Sequence, residues 1–440
     1  MRGVSGRENA SYLLMNYMNF EKASFKDFEN IEAMTPWEWA RLFQQYVQNW
    51  DSRGHWNYRQ ESISGCFPEV QLDYSGNTHQ SHVALVFNDY LGFTQHPAVK
   101  QAAIDAIMKY GVGAAASPAI GGHMTYHRLI EEKIAKFFKR DSAILYTTGY
   151  TANSATIQAL LKKEDLAIVD MAAHASMYEG CLLTNVKLFP HNNMEKLERI
   201  LKETRGRYRT RMVIVDGVYS QPADICKLDE VVKLAKQHGA FVAMDDAHGV
   251  GVVGETGRGV IELYDLYKEI DIITGTFSKT FGHLGGYVVA DSELVNYLKF
   301  QARQHIFSVS ATPASACILK SIDLIDEEPE WRNKLWINIE YLKKGLNDMG
   351  FDTGNTQSAI IPVIIGDATF NAEVCKLLLE AGVYTNQIGY PAVARKDARI
   401  RMSIMATHTI AHLDRVLNAW ERVDRKLKIT KQDGHKTQSN

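Results

Sequence analysis

Met212-Val-Ile-Val-Asp216 and Phe241-Val-Ala-Met-Asp245 are two short apolar runs, each closed by an aspartate, and the segment between them carries Leu228, Val231, Val232 and Ala235 at helical spacing. Strand, amphipathic helix and strand in this order make a parallel βαβ unit. Working outward, the alternation returns. Ala143-Ile-Leu-Tyr-Thr147 precedes a helical stretch through Leu161, and Leu166-Ala-Ile-Val-Asp170, Val186-Lys-Leu-Phe189, Ile270-Asp-Ile-Ile-Thr274 and Tyr287-Val-Val-Ala290 are further apolar runs. Strands that are apolar throughout are covered on both faces. The expected fold is therefore α/β, with a mostly parallel sheet that takes ligands at the carboxyl ends of its strands.

A chain of 440 residues exceeds what one hydrophobic core serves, so one large and one smaller domain are expected. Residues 1–75 read as an N-terminal helical arm rich in aromatics. Thr35 is placed there as N-cap and Pro36 at the first helical position, with Trp39, Leu42, Phe43 and Val47 forming an apolar stripe. That stripe suits packing on the body or a partner subunit, with a lipid interface as the alternative. Residues 76–320 form the large domain. Residues 321–428 form a smaller α+β domain, with a charged helix from Glu330 to Met349 and a strand near Ile360-Ile-Pro-Val-Ile-Ile365; the polar tail 429–440 is expected to be disordered.

A net charge of −2 gives no reason to expect nucleic acid or an anionic membrane as main partner. The cysteines, Cys66, Cys181, Cys226, Cys317 and Cys375, show no CxxC spacing, which argues against a disulfide framework or a thiolate zinc site and fits a reducing cytoplasm. No export signal or membrane-spanning run is read in the sequence.

Chemistry concentrates in two segments. Asp245-Asp-Ala-His248 closes a strand, so its polar groups emerge at the sheet's carboxyl edge. Lys279 lies in Gly275-Thr-Phe-Ser-Lys-Thr-Phe-Gly-His-Leu-Gly-Gly286, between two apolar runs. Alone, Lys279 reads as a surface lysine, and Asp245 with His248 as a strand-end turn. Together they match what a pyridoxal phosphate site requires. Asp245 keeps the pyridine nitrogen protonated, His248 bonds the phenolic oxygen, and Lys279 carries the cofactor covalently. The turn Tyr146-Thr-Thr-Gly-Tyr-Thr-Ala-Asn153 offers a helix N-terminus for the phosphate, Gly149 permits close approach, and Thr276 and Ser278 add hydroxyls. Gly249-Val-Gly-Val-Val-Gly254 matches GxGxxG, but more glycines follow where a helix should open, so it reads as a loop. His123 and His127 form an HxxxH without a zincin glutamate, and no metal site is assigned.

The string Asp245-Asp-Ala-His-Gly-Val-Gly-Val-Val-Gly-Glu-Thr-Gly-Arg-Gly259, followed by Thr276-Phe-Ser-Lys279, resembles the α-oxoamine synthases. So do Asn88-Asp-Tyr-Leu-Gly92 with His96-Pro97, Ser117 followed by His127, Thr148-Gly-Tyr150, His174-Ala-Ser176, Ala398-Arg-Ile-Arg401 and Thr407-His-Thr409, all in family order. These fold-type I pyridoxal phosphate enzymes include serine palmitoyltransferase, 8-amino-7-oxononanoate synthase, 2-amino-3-ketobutyrate ligase and 5-aminolevulinate synthase. The resemblance implies a seven-stranded, mostly parallel sheet and a homodimer with its active site at the subunit interface. His174 would stack on the cofactor ring, Gly149 and Tyr150 would border its phosphate, and Ser220 would join the cofactor contacts. Arg401 would pair with the amino-acid carboxylate, Asn88 and Ser117 would help place the substrate, and Thr312 would reach a phosphate in the neighbouring subunit.

The implied reaction joins an amino acid to an acyl-CoA or acyl carrier protein thioester, with loss of thiol and carbon dioxide, giving an α-aminoketone. Lys279 then serves twice, as anchor and as base for the Cα proton. Ser220-Gln-Pro-Ala-Asp224 and Gly389-Tyr-Pro-Ala-Val393 depart from the usual family strings. The long aromatic arm favours a serine palmitoyltransferase-like member acting on serine or another polar amino acid such as cysteate, with the other subfamilies as alternatives. An aminotransferase or lyase on the same fold, or a silent partner subunit, are the readings of a different class.

Overall fold

Arg211–Asp216 is buried at every residue, and its side chains divide between two cores, Val213 and Val215 on one side, Met212 and Ile214 on the other. A strand with a core on each face has to lie in the interior of a sheet, and full burial of each such aliphatic side chain contributes about 1.5–3 kcal/mol. The computed structural model describes residues 18–32, 34–73 and 80–430. Three strands come first, β1 (Glu61–Ser62), β2 (Glu69–Asp73) and β3 (Ser81–Ala84). The large sheet follows with β4 (Ser142–Tyr146), β5 (Leu166–Asp170), β6 (Asn185–Phe189), β7 (Arg211–Asp216), β8 (Phe241–Asp245), β9 (Ile272–Thr276) and β10 (Gly286–Ala290). The last four are β11 (Ile360–Ile364), β12 (Val383–Tyr384), β13 (Asn386–Ile388) and β14 (Arg399–Ser403).

The large sheet has the order β4-β10-β9-β8-β7-β5-β6. Neighbours among β5 to β9 pair in parallel, and β10 runs antiparallel to both β4 and β9. The strands therefore share one carboxyl edge except for β10. The mostly parallel seven-stranded sheet of a fold-type I transferase is thus present, and Asp216 and Asp245 stand opposite each other in register at that edge.

β11, β14 and β13 form a small antiparallel sheet, backed by the helix Ala368–Glu380; the helix Ile410–Leu427 packs on that helix and brings Trp420 against Met402 of β14. β12 pairs in parallel with β3, which pairs with β2, so strands before residue 85 share a sheet with the C-terminal region. The arm expected as helical to residue 75 therefore ends in strands. Its helix Pro36–Asp51 starts as the sequence predicts, with Thr35 accepting from the backbone of Glu38 and Pro36 at the first turn. Leu42, Tyr46 and Trp50 are buried with Phe28, Met34 and Ala372, and Trp39, Phe43 and Val47 pack against them. Of the tail expected to be disordered, Ile429 is buried and residues 431–440 lie outside the described residues. Among the described residues no helix is long and apolar enough to cross a membrane.

Candidate active site

The carboxyl edge gathers side chains from strands far apart in sequence. Lys279 follows β9 on the short connection to β10 and is half-buried, and among the described residues no hydrogen bond or ion pair holds its amine. Burial pushes that amine down to about 8; Asp245 opposes the shift and Arg401 adds to it. A substantial neutral fraction near pH 7–8 is what a lysine that must attack a carbonyl needs.

Asp245 ends β8. Its Oδ2 accepts from Asn153 Nδ2 at 2.6 Å and its Oδ1 from the backbone of Ala247 at 3.0 Å. Asn153 also donates to Ser176 Oγ at 2.9 Å, and that hydroxyl lies 2.7 Å from His174 Nδ1. The backbone N–H of Ser176 points to the same nitrogen, so Nδ1 is the acceptor and Nε2 carries the hydrogen of the neutral ring. Burial lowers the pKa of His174, with Asp245 opposing. His174 also donates its backbone N–H to Asp216, whose carboxyl burial and the charge of Asp245 push well above the usual range.

His248 is buried and held neutral by burial, with the charge of Lys279 acting the same way. Tyr90 Oη lies 2.6 Å from its Nδ1. With Tyr90 donating over this shorter contact rather than to Asn88 Oδ1 at 3.3 Å, Nε2 keeps the hydrogen of the neutral ring. Arg401, on β14, is buried and held three ways. It donates to Ser220 O at 2.9 Å, Ser403 Oγ at 3.0 Å and Asn88 Oδ1 at 3.2 Å.

The helix Gly149–Leu160 opens just past β4, capped by Thr148, which accepts from the backbone of Thr151. A Cβ at Gly149 would come within 2.7 Å of Thr276 Cβ, so only glycine lets this helix end sit against β9. Thr276 Oγ1 lies 2.7 Å from Ser278 Oγ, completing a cluster of hydroxyls and free N–H groups suited to an anion. Tyr150 is on the rim, its ring edge-on to His174 at 6.2 Å. The residues therefore fit pyridoxal phosphate, with an unpaired amine, a ring-nitrogen carboxylate, an imidazole donor and an anion cradle. The chain resembles known proteins in agreement with this. The sequence profile of the aminotransferase class I and II family matches residues 81–419. The 8-amino-7-oxononanoate synthase of Thermoanaerobacter pseudethanolicus is 43% identical over 350 residues, 79% of this chain and 89% of that protein. The Bacillus subtilis 8-amino-7-oxononanoate synthase 1 is 39% identical over 372 residues, covering 84% and 93%. A serine palmitoyltransferase structure with a pyridoxal phosphate internal aldimine superposes with TM-score 0.83 at 32% identity, covering 88% of this chain and 98% of that one. The Sphingomonas wittichii serine palmitoyltransferase gives TM-score 0.83 at 31% identity, covering 88% and 97%. The chain is an α-oxoamine synthase.

As an α-oxoamine synthase it is a pyridoxal phosphate-dependent acyltransferase that condenses an amino acid with an acyl thioester. The geometry brings together Lys279, Asp245, His248, His174, Arg401 and Asn88. Ser220 meets Arg401 through its carbonyl rather than its hydroxyl. Ser117 precedes the turn Pro118–Gly122, where its carbonyl accepts from the backbone of Gly122 at 2.8 Å. Thr312 stands at the N-terminus of the turn Pro313–Ala316, and the structure of one chain leaves its expected contact with a second copy untested. Of the glycines in the GxGxxG string, Gly249 makes room for Asp246, whose carboxylate a Cβ there would approach to 2.0 Å, while Gly251 makes room for Thr280 and Gly254 for Glu262. Among the described residues no group of three or more His, Cys, Asp and Glu could hold a metal ion.

Sequence reasoning passed over Tyr90, Asn153, Ser176 and Asp216. Asp216 carried a signal, since it closes β7 as Asp245 closes β8. Tyr90 lies inside the quoted Asn88–Gly92 string. Asn153 and Ser176 stand inside the quoted Tyr146–Asn153 and His174–Ser176 strings as well, but the bonds from Asn153 to Ser176 and to Asp245 span 23 and 92 residues and have no local signal.

Proposed function

We propose that the chain makes 8-amino-7-oxononanoate. The carbon skeleton in that name fixes the substrates: disconnecting carbons 7 and 8 leaves decarboxylated alanine and a seven-carbon dicarboxylic acyl group, delivered as a thioester. The observation that supports this choice is 38–43% identity to several synthases of that name across about nine-tenths of their length. Arg401 clamps the amino-acid carboxylate, with Asn88 fixing one end of the guanidinium. Asp245, tied to Asn153, holds the proton on the cofactor nitrogen, and His174 covers the ring. Pyridoxal phosphate supplies the electron sink that stabilises a carbanion at Cα. Lys279 Nζ, whose amine burial brings down to about 8, would accept the Cα proton.

Gly149, Tyr150, Thr276 and Ser278 hold the phosphate. Exposed Ile120, Phe307 and Val309 flank the segment leading to Thr312 and support a homodimer in which Thr312 reaches the second site. The five free cysteines support a cytoplasmic location.

A second reading, serine with a long acyl thioester, is favoured by the serine palmitoyltransferase structures, which cover 88% of this chain against 79% for the T. pseudethanolicus synthase. The deciding experiment crosses alanine and serine with heptanedioyl and hexadecanoyl thioesters, reading thiol release and product mass. Release with alanine and the heptanedioyl ester is expected. Release confined to serine and the long ester would overturn this reading in favour of the second.

A further inference from the structure

The arm that precedes the family match at residue 81 does more than pack on the body. Its aromatic cluster ends in a set of polar ties aimed at one place, the β13–β14 hairpin. Asn57 Nδ2 donates to Gln387 Oε1 at 3.1 Å, Gln387 Nε2 donates to His55 O at 3.1 Å, and Tyr58 Oη donates to Gln387 O at 3.4 Å. Both Asn57 and Gln387 are buried. Farther along, Arg395 donates to Lys22 O at 2.7 Å, pairs with Asp27 at 3.3 Å, and lays its guanidinium over Tyr390, 4.7 Å from the ring centre. His55 Nε2 and Glu373 Oε2, 2.8 Å apart, link the same stretch of arm to the helix Ala368–Glu380 behind this sheet.

Among the described residues β13 is an edge strand, with β14 as its sheet neighbour. Gln387 is in register with Ile400 and Asn386 with Arg401. A shift of β13 is therefore passed directly to the strand that carries Arg401. The bonds from Arg401 to Ser220, Asn88 and Ser403 orient the guanidinium but leave the edge of its sheet to be held from outside. The arm adds support in the middle of β13, through Gln387, and at the loop joining the two strands, through Arg395, beside the bonds that Asn371 on the helix behind makes to Ile388 O and Arg399 O.

We propose that residues 18–58 are a positioning element for the amino-acid site, bracing the β13–β14 hairpin so that Arg401 is presented at the right depth for the substrate carboxylate. The inference rests on Arg401 being that carboxylate's clamp. Asn57 and Arg395 act through Arg401 and do not touch the substrate.

The test uses the full-length holoenzyme with Asn57→Ala and Arg395→Met, singly and together, and Arg401→Gln beside them. Alanine binding is measured by equilibrium titration of the cofactor absorbance without thioester, and cofactor affinity by apoenzyme titration. The double variant is expected to weaken alanine binding about tenfold while cofactor affinity stays within about twofold. Arg395→Lys, which keeps one donor, should recover part of the loss. Unchanged alanine binding, or alanine and cofactor affinity falling in equal proportion, would overturn the proposal. If the double variant does not fold, Arg395→Met decides by the same criterion, because that side chain is exposed. Unchanged alanine binding in Arg401→Gln would instead locate the failure in the clamp.

Discussion

Replacing Gly149 by alanine isolates one contact in the proposed phosphate cradle. Gly149 does not occupy a positive-φ conformation, so the backbone accepts a side chain without strain and only the space is at issue. The new Cβ would stand 2.7 Å from Thr276 Cβ and 3.0 Å from its Oγ1. Carbon atoms pack at about 3.5–4.0 Å, so the helix end and β9 must part by roughly 1 Å. Overpacking of this kind costs about 1–3 kcal/mol. The displaced groups are the helix N-terminus and the Thr276–Ser278 pair, so much of the loss should fall on cofactor binding, with Kd rising about 5- to 100-fold. Titrating apoenzyme with pyridoxal phosphate reads this directly. Gly113→Ala is the control, because among the described residues no atom lies within 4 Å of its added Cβ. A Gly149→Ala Kd within twofold of the parent would refute the argument that this contact shapes the phosphate site.

Other consequences follow from the same geometry. Asn153→Leu removes the donor to a buried Asp245 oxygen and should weaken cofactor affinity about tenfold, a cost of about 1–3 kcal/mol, measured by the same titration. Arg401→Lys loses the planar fork and should raise the alanine KM at least about tenfold with cofactor affinity unchanged, which steady-state kinetics and apoenzyme titration separate. His191 lies between Asp170 and Asp224, at 3.1 and 2.9 Å. Burial alone would lower its pKa, but those two carboxylates outweigh burial and raise it from 6.5 to about 9. Its stabilising contribution is therefore complete below about pH 6.5 and lost as pH rises through 9. Denaturant midpoints between pH 6.5 and 9.5 should fall more steeply for the parent than for His191→Gln.

The apolar runs closing in Asp216 and Asp245 made the parallel sheet legible, because interior strands must be apolar on both faces. Lys279 and His248 were legible because strand ends in such a sheet converge. The antiparallel course of β10 was not, since Tyr287-Val-Val-Ala290 reads the same in either direction. Nor was the pairing of β3 with β12, which joins Val83 to Val383 across 300 residues and has no local signature. The network from Asp245 through Asn153 and Ser176 to His174 was hidden for a related reason: a buried polar residue in a helix declares its need for a partner but not which partner. The stripe of Leu42, Phe43 and Val47 announced a buried face, and the hairpin it braces became visible only in three dimensions.

The groups proposed to hold the cofactor at the carboxyl edge run from Gly149 to Lys279, so a ligand that engages them ties together the middle of the large sheet. Such a ligand acts as thermodynamic glue: at a free concentration one hundred times its Kd it adds about 2.7 kcal/mol to the folded state. Depletion of pyridoxal phosphate should accordingly lower the resistance of the whole protein to heat and proteolysis as well as halt turnover. For this enzyme, vitamin supply and protein lifetime become one variable.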